Sequence, residues 1–181
     1  MVIAITGMPG SGKSTAIELL NEMKFTVINI SDYIKDEMAM EHIPVTHKNL
    51  EDFAVELRKR LGPGAPVILA TRNLTKMKGD VAIAGMRDVD EVGYMRKTLK
   101  LKMPIIVISL PTEQRYKRIM ARHIKGDIKD HKEFAWRDMR NRKLGIVKVL
   151  AMADLVIANT GTKADFRKNL RAAVRMLRAK G

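Results

Sequence analysis

Short apolar runs alternate along this chain with longer stretches in which apolar residues recur every third or fourth position. Val2–Ile5, Thr26–Ile30, Ile105–Leu110 and Leu155–Ala158 are short and rich in β-branched residues, as is either Val67–Ala70 or Val81–Ala84. Continuous apolar runs of this length suit strands covered on both faces of a parallel sheet. Between them, Leu50, Phe53, Ala54, Leu57 and Leu61 fall at helical spacing, as do Tyr116, Ile119, Met120 and Ile124. Phe166, Leu170, Val174 and Leu177 do the same near the end of the chain. Repeated strand–helix alternation predicts an α/β fold with a doubly wound parallel sheet and right-handed crossovers. Gly62-Pro63-Gly64-Ala65-Pro66 is a turn cluster that separates two helical pieces, and residues 122–132 read as an exposed loop.

Length and composition narrow the class. At 181 residues and 46% hydrophobic, the chain makes one globular domain with a sizeable core. It has no Cys, which excludes disulfides and thiolate metal sites and suits a reducing cytoplasm. No signal-peptide pattern is expected at the start, and no apolar stretch approaches the roughly 18 residues of a membrane span. The net charge of +14 is unevenly spread: residues 1–95 carry 11 Lys/Arg against 13 Asp/Glu, whereas residues 96–181 carry 23 against 7. The second half is therefore expected to face anions, either the phosphates of a small substrate or a nucleic acid.

Gly7-Met8-Pro9-Gly10-Ser11-Gly12-Lys13-Ser14 matches G-x-x-x-x-G-K-[ST] in full, after an apolar run and before the amphipathic segment Thr15–Met23. Strand, loop and helix in that order are the context the motif requires. Glycines let backbone N–H groups turn inward around a phosphate, and the following helix presents its positive N-terminus to the same anion. Lys13 then reaches the β- and γ-phosphates and the Ser14 hydroxyl ligates Mg²⁺. The guanine-reading N-K-x-D motif is missing, since Asn159-Thr160-Gly161-Thr162 does not match it, which favours ATP over GTP.

With these residues the chain resembles, over nearly its whole length, the nucleoside-monophosphate kinase group of P-loop proteins. It is most like archaeal adenylate-kinase-related proteins and is also similar to dephospho-CoA kinases. Gly7–Thr15 corresponds to the phosphate loop. Ser31–Glu37 resembles the segment after the second strand, with Lys35 where an arginine is common. Gly85-Met86-Arg87 resembles the glycine-x-x-arginine element after the third strand, and Ala153–Thr162 the last strand and the turn beside adenine. The resemblance implies a five-stranded parallel sheet with helices on both faces, an acceptor-binding helical insertion at 31–66 and a lid at about 118–140. It implies ATP and Mg²⁺ as cofactors, a nucleotide-like acceptor, and Asn159 and Gly161 at the base. One departure stands out: where the group carries an acid before that glycine, this chain has Ala84. Either Asp32 helps Ser14 and the phosphates to hold the metal, or catalysis is weakened. Asp32 is also a candidate general base, and equally a helix N-cap together with Ser31.

Arginines that close over a transferring phosphoryl group stabilise its charge. Arg118, Arg122, Arg137 and Arg140 are the lid candidates, each with surface charge as the plain alternative, such as Glu133 with Arg137. Arg87, just after a strand end, is the candidate for the acceptor's phosphate, and Arg72 is a second. The histidines show no metal-ligand spacing. Trp136 either stacks on a base or joins the core. Arg167, Arg171, Arg175 and Arg178 stripe the last helix and either track a nucleic-acid backbone or face solvent. Three functions remain open: a small-molecule kinase, a nucleotide-dependent RNA- or partner-binding ATPase module, and a nucleotide sensor without chemistry.

Overall fold

The computed structural model describes residues 1–122 and 128–179. Five strands form one all-parallel sheet: β1 (Val2–Thr6), β2 (Thr26–Asn29), β3 (Val81–Ala84), β4 (Ile105–Ser109) and β5 (Leu155–Ala158), in the order β2-β3-β1-β4-β5. Strand β1, which leads into the glycine-rich loop, thus lies at the centre, and the register aligns Ile5 with Ala84 and Ala84 with Asn29. The carboxyl ends of β1, β2 and β3 consequently open at one level, where ligands of open α/β sheets bind.

Side-chain alternation sorts the strands' apolar residues to two covered faces. On one face Ala4, Ile28, Val81, Ile83, Ile105 and Val107 pack against helices α2 (Ile30–Met40), α3 (His47–Leu61), α4 (Ala65–Thr71) and α8 (Ile146–Ala151). On the other, Ile3, Ile5, Ala82, Ile106, Ile108 and Ile157 meet α1 (Lys13–Glu22) and α9 (Lys163–Ala179). The spaced residues Phe166, Leu170 and Val174 are the buried stripe of α9. The short α5 (Val89–Gly93) opens with a capping box between Asp88 and Glu91, as Asp and Glu at this spacing favour.

The alternative left open for the third strand is settled, and one expectation changes. Val67–Ala70 is not a strand: Pro66 begins α4 in the first turn, and Ala65, Val67 and Ala70 are buried in a short helix. The third strand is Val81–Ala84. β2 ends at Asn29, and Ile30 already starts α2, so Ser31 and Asp32 sit inside the first turn instead of capping it. The turn cluster at 62–66 does separate two helices, α3 and α4, and together with α2 they give three helices between β2 and β3. The proposed periodic position Ile124 and part of the lid lie outside the described residues.

Helices α6 (Thr112–Met120) and α7 (His131–Lys143) carry the expected arginines. Arg115, three residues before Arg118 on α6, is fully buried. It pairs with Asp138 of α7 at 2.6 and 2.5 Å, donates to the Pro9 carbonyl at 3.1 Å and lies over the Phe134 ring. One guanidinium therefore ties α7 to the phosphate loop. Breaking a buried pair strands a charge, so Asp138→Ala is expected to cost about 3–5 kcal/mol of stability, read as a lowered denaturant midpoint with an unchanged slope.

Candidate active site

The loop after β1 closes on itself before it meets any ligand. Gly10 and Gly12 have φ of 82° and 112°, which only glycine adopts without strain. A Cβ on Gly12 would lie 2.2 Å from Asn159 Nδ2, so the position is closed to side chains by space as well. Asn159, buried after β5, donates to the Ser11 carbonyl at 2.8 Å and accepts from Arg118 at 2.7 Å. Lys13 Nζ donates to the carbonyls of Gly7 at 2.7 Å and Met8 at 3.2 Å. Ser11 Oγ is buried with no hydrogen-bond partner. An unpartnered buried hydroxyl and a lysine folded back on its own loop both fit a phosphate-binding cradle.

Above the loop lies a cleft of about 590 Å³. Among the described residues eight Lys and Arg line it, namely Lys13, Lys35, Arg58, Arg87, Arg118, Arg122, Arg137 and Lys163, and no Asp or Glu does. The P-loop residues Pro9, Gly10, Gly12, Ser14 and Thr15 form one wall, and Ile30, Ile34, Leu50 and Ala54 give an apolar patch on α2 and α3. Burial, followed by the charges of Arg87, Arg137, Arg122 and Arg115, lowers the Lys13 pKa to about 7. Burial also depresses the pKa of Arg87 despite the opposing pull of Glu51. Such crowding is costly without an anion, and the arrangement can take polyanions along its whole length.

Two buried carboxylates brace the cations from behind. Glu91 accepts from Arg58 Nη2 at 2.5 Å and from the Arg87 backbone N–H at 2.7 Å. Its carboxyl pKa is raised by burial, with Arg58 pulling the other way. Glu51 of α3 lies beside Arg137, Arg140 and Arg87 at 3.3, 3.6 and 3.9 Å. Neither carboxylate was singled out from sequence. Glu91 had a signal in its capping-box spacing from Asp88, but Glu51 reads as an ordinary polar position of an amphipathic helix.

The sequence candidates divide. Lys13, Ser14, Arg87, Arg118, Arg122 and Arg137 come together in the cleft, together with Asn159. Asp32 does not line it; its carboxylate takes Lys35 at 2.7 Å and the Asn29 amide at 2.9 Å. Arg140 also lies outside the lining, on Asp52 at 2.6 Å and over the Trp136 ring. Trp136 is thus partly exposed under an arginine, neither core nor base platform. Arg72 is exposed and follows a helix, so the strand end that suggested it is absent. Gly161 is exposed and outside the cleft lining. Ala84, where an acid was expected, lines the cleft beside Asn29. Within the stripe on α9, Arg167 and Arg171 meet Glu22, and Arg178 meets Asp80 at 2.6 Å. Among the described residues no group of three or more His, Asp or Glu is placed to hold a metal ion, and no helix is long and apolar enough to cross a membrane.

Comparison with known proteins places this geometry. A family described as AAA domain matches residues 3–142. A UPF0200 protein of Pyrococcus horikoshii is 35% identical over 96% of both chains. One of Thermococcus gammatolerans is 32% identical, covering 96% of this chain and 94% of its own. Among solved structures, TT1252 from Thermus thermophilus superposes with a TM-score of 0.64 at 22% identity, covering 98% of this chain and 97% of its own. Shikimate kinase from Acinetobacter baumannii, in complex with shikimate, does so with 0.61 at 14% identity, covering 99% and 93%. At these identities the structures share the fold: a P-loop kinase-like α/β domain.

The lowered Lys13 pKa has a measurable consequence. Above about pH 7 the free amine predominates in the ligand-free protein. A triphosphate favours the ammonium form and draws a proton in as it binds. ATP titrations in buffers of different ionisation enthalpy should give uptake approaching about one proton per ATP at pH 8 and close to none at pH 6. Lys13→Met should remove the difference.

Proposed function

The chain belongs to the UPF0200 family and carries an AAA domain, and from that footing we propose that it is an ATP-dependent kinase that phosphorylates a small, nucleotide-like acceptor. The carrying observation is a cleft with a P-loop wall and, among the described residues, eight Lys and Arg and no acid on its lining. A nucleotide alone needs only part of that charge. The basic residues away from the loop, Arg58, Arg87 and Lys35, lie with an apolar patch from Ile34, Leu50 and Ala54, which suits an acceptor with both a flat apolar part and a phosphate. The structurally similar shikimate kinase from Acinetobacter baumannii, in complex with shikimate, shows that this fold serves a kinase with a small-molecule ligand.

In this reading the P-loop amides and Lys13 hold the donor's β- and γ-phosphates. Lys13 exchanges its contacts with the Gly7 and Met8 carbonyls for phosphate oxygens. Arg118, held by the Asn159 carbonyl, approaches from the adenine side with Arg122, and Arg137 from α7. Arg87 and Arg58, braced by Glu91, hold the acceptor's anion. The Ser14 hydroxyl is exposed at the head of α1 and would ligate Mg²⁺ with phosphate oxygens. Bound there, Mg²⁺ supplies charge neutralisation between the two phosphates. Asp32 acts through Asn29 at the edge of the site, positioning and not ligating. Helices α2 and α3 form the acceptor-binding side, and α6 and α7 the lid side.

The test is ADP release measured across nucleoside monophosphates, dephospho-CoA and shikimate with ATP as donor. Turnover with a phosphate-bearing nucleotide is expected, with Lys13→Ala lowering kcat/KM by about 10³-fold or more. Arg87→Ala should raise the acceptor's KM while leaving that of ATP nearly unchanged. Tight ATP binding without turnover on any acceptor would overturn the kinase reading in favour of a sensor.

A further inference from the structure

Among the described residues Glu51 lies beside three arginines around this cleft, and it does so from outside the cleft's lining. It sits on α3, the acceptor-binding side, and is 2% exposed. Its Oε1 lies 3.3 Å from Arg137 Nε, 3.4 Å from Asn141 Nδ2 and 3.9 Å from Arg87 Nη1. Oε2 lies 3.6 Å from Arg140 Nε and accepts no hydrogen bond. Arg87 comes from the turn after β3, and Arg137 and Arg140 from α7. Three separately folded parts of the site therefore meet on one carboxylate.

A buried carboxylate beside several guanidiniums offsets their mutual repulsion and lets them stay close. Arg87 and Arg137 line the cleft and Glu51 does not, so a ligand meets the guanidiniums while Glu51 holds them from behind. Arg140 is held more firmly elsewhere, by Asp52 at 2.6 Å, and so anchors the hub to α3 a second time.

We infer that Glu51 is a positioning residue that holds Arg87, on the acceptor side, and Arg137, on the lid side, in register with each other across the cleft. This builds on the kinase reading for what the two arginines grip, but the hub itself is a property of the fold. Its removal should loosen both arginines and weaken the acceptor's hold, while the P-loop, which Glu51 does not touch, keeps its grip on ATP.

The experiment has two readings. The first needs no turnover. In ¹⁵N spectra of the full chain, Glu51→Gln should speed exchange of the Arg137 Nε–H by roughly tenfold or more. Over the same change the dissociation constant of ATP should stay within about twofold of the wild type. The second reads the acceptor identified by ADP release: its KM should rise about tenfold, with the KM of ATP little changed. Glu51→Asp keeps the charge, and with it the fold, but withdraws the carboxylate by one methylene. It should give the same split in smaller measure, and stands in if the glutamine variant does not fold. Unchanged guanidinium exchange in a folded variant overturns the inference, as does an ATP affinity that falls as far as the acceptor's. A silent acceptor panel with the expected change in exchange and unchanged ATP affinity would sink the kinase reading and leave the Glu51 hub standing.

Discussion

Mutual repulsion among cations at the carboxyl end of a parallel sheet is the constraint around which this protein is arranged. Among the described residues eight Lys and Arg side chains share a cleft of about 590 Å³ with no acid on its lining. Unopposed, such a cluster would splay into solvent, because each guanidinium gains more from water than from its neighbours. The fold prevents this by placing carboxylates one layer behind the lining. Glu91 braces Arg58 and the backbone of Arg87, Glu51 stands behind Arg87 and Arg137, and Asp138 holds Arg115 against the phosphate loop. The surface offered to a ligand is positive, while the charge balance is kept out of the ligand's reach.

The same logic explains the uneven halves of the chain. The second half carries 23 Lys/Arg against 7 Asp/Glu, and the first is slightly acidic. Folding brings second-half cations onto first-half acids: Arg137 to Glu51, Arg140 to Asp52, Arg167 and Arg171 to Glu22, and Arg178 to Asp80. The exposed pairs on α9 contribute little stability individually. Their consequence is electrostatic: much of the stripe that could have tracked a nucleic-acid backbone is already facing carboxylates. The buried pairs carry more weight, since they decide which cations remain in the cleft.

How far this was legible beforehand depended on whether the cause was local. The P-loop was fully readable, because its glycines, lysine and hydroxyl owe their geometry to one turn between one strand and one helix. Four of the five strands were readable to within a residue or two from their apolar runs. Val67–Ala70 misled because a short helix buried on most of its surface has no polar face to set its period, so the run reads as a strand until Pro66 is given its place at the helix start. Arg118, Arg122 and Arg137 reach the cleft lining, as their place in the chain order suggests. Arg140 lies outside it on Asp52, a partner on a helix far away in sequence. Glu51 was invisible for the same reason: only the fold, which brings Arg137 and Asn141 of α7 to its carboxylate, turns an ordinary polar position into a site of convergence.

Ala84 is where these threads meet. An acid there would place a negative charge at the end of β3, beside the loop and among the cations. This chain instead leaves that point apolar and puts its nearest polar groups on the adjoining strand end, where Asn29 accepts from Ser31 and donates to Asp32 at 2.9 Å. Asp32 is further drawn outward by Lys35. Among the described residues the floor of the cleft therefore carries no acid to offset the arginines, and Glu51, Glu91 and Asp138 are held behind cations with Asp32 at the rim. A bound polyanion then becomes the main partner available to that surface. Ligand charge, and not a resident acid, sets the electrostatic balance of the site, which makes its affinity for anions and its tolerance of crowded arginines two aspects of one design.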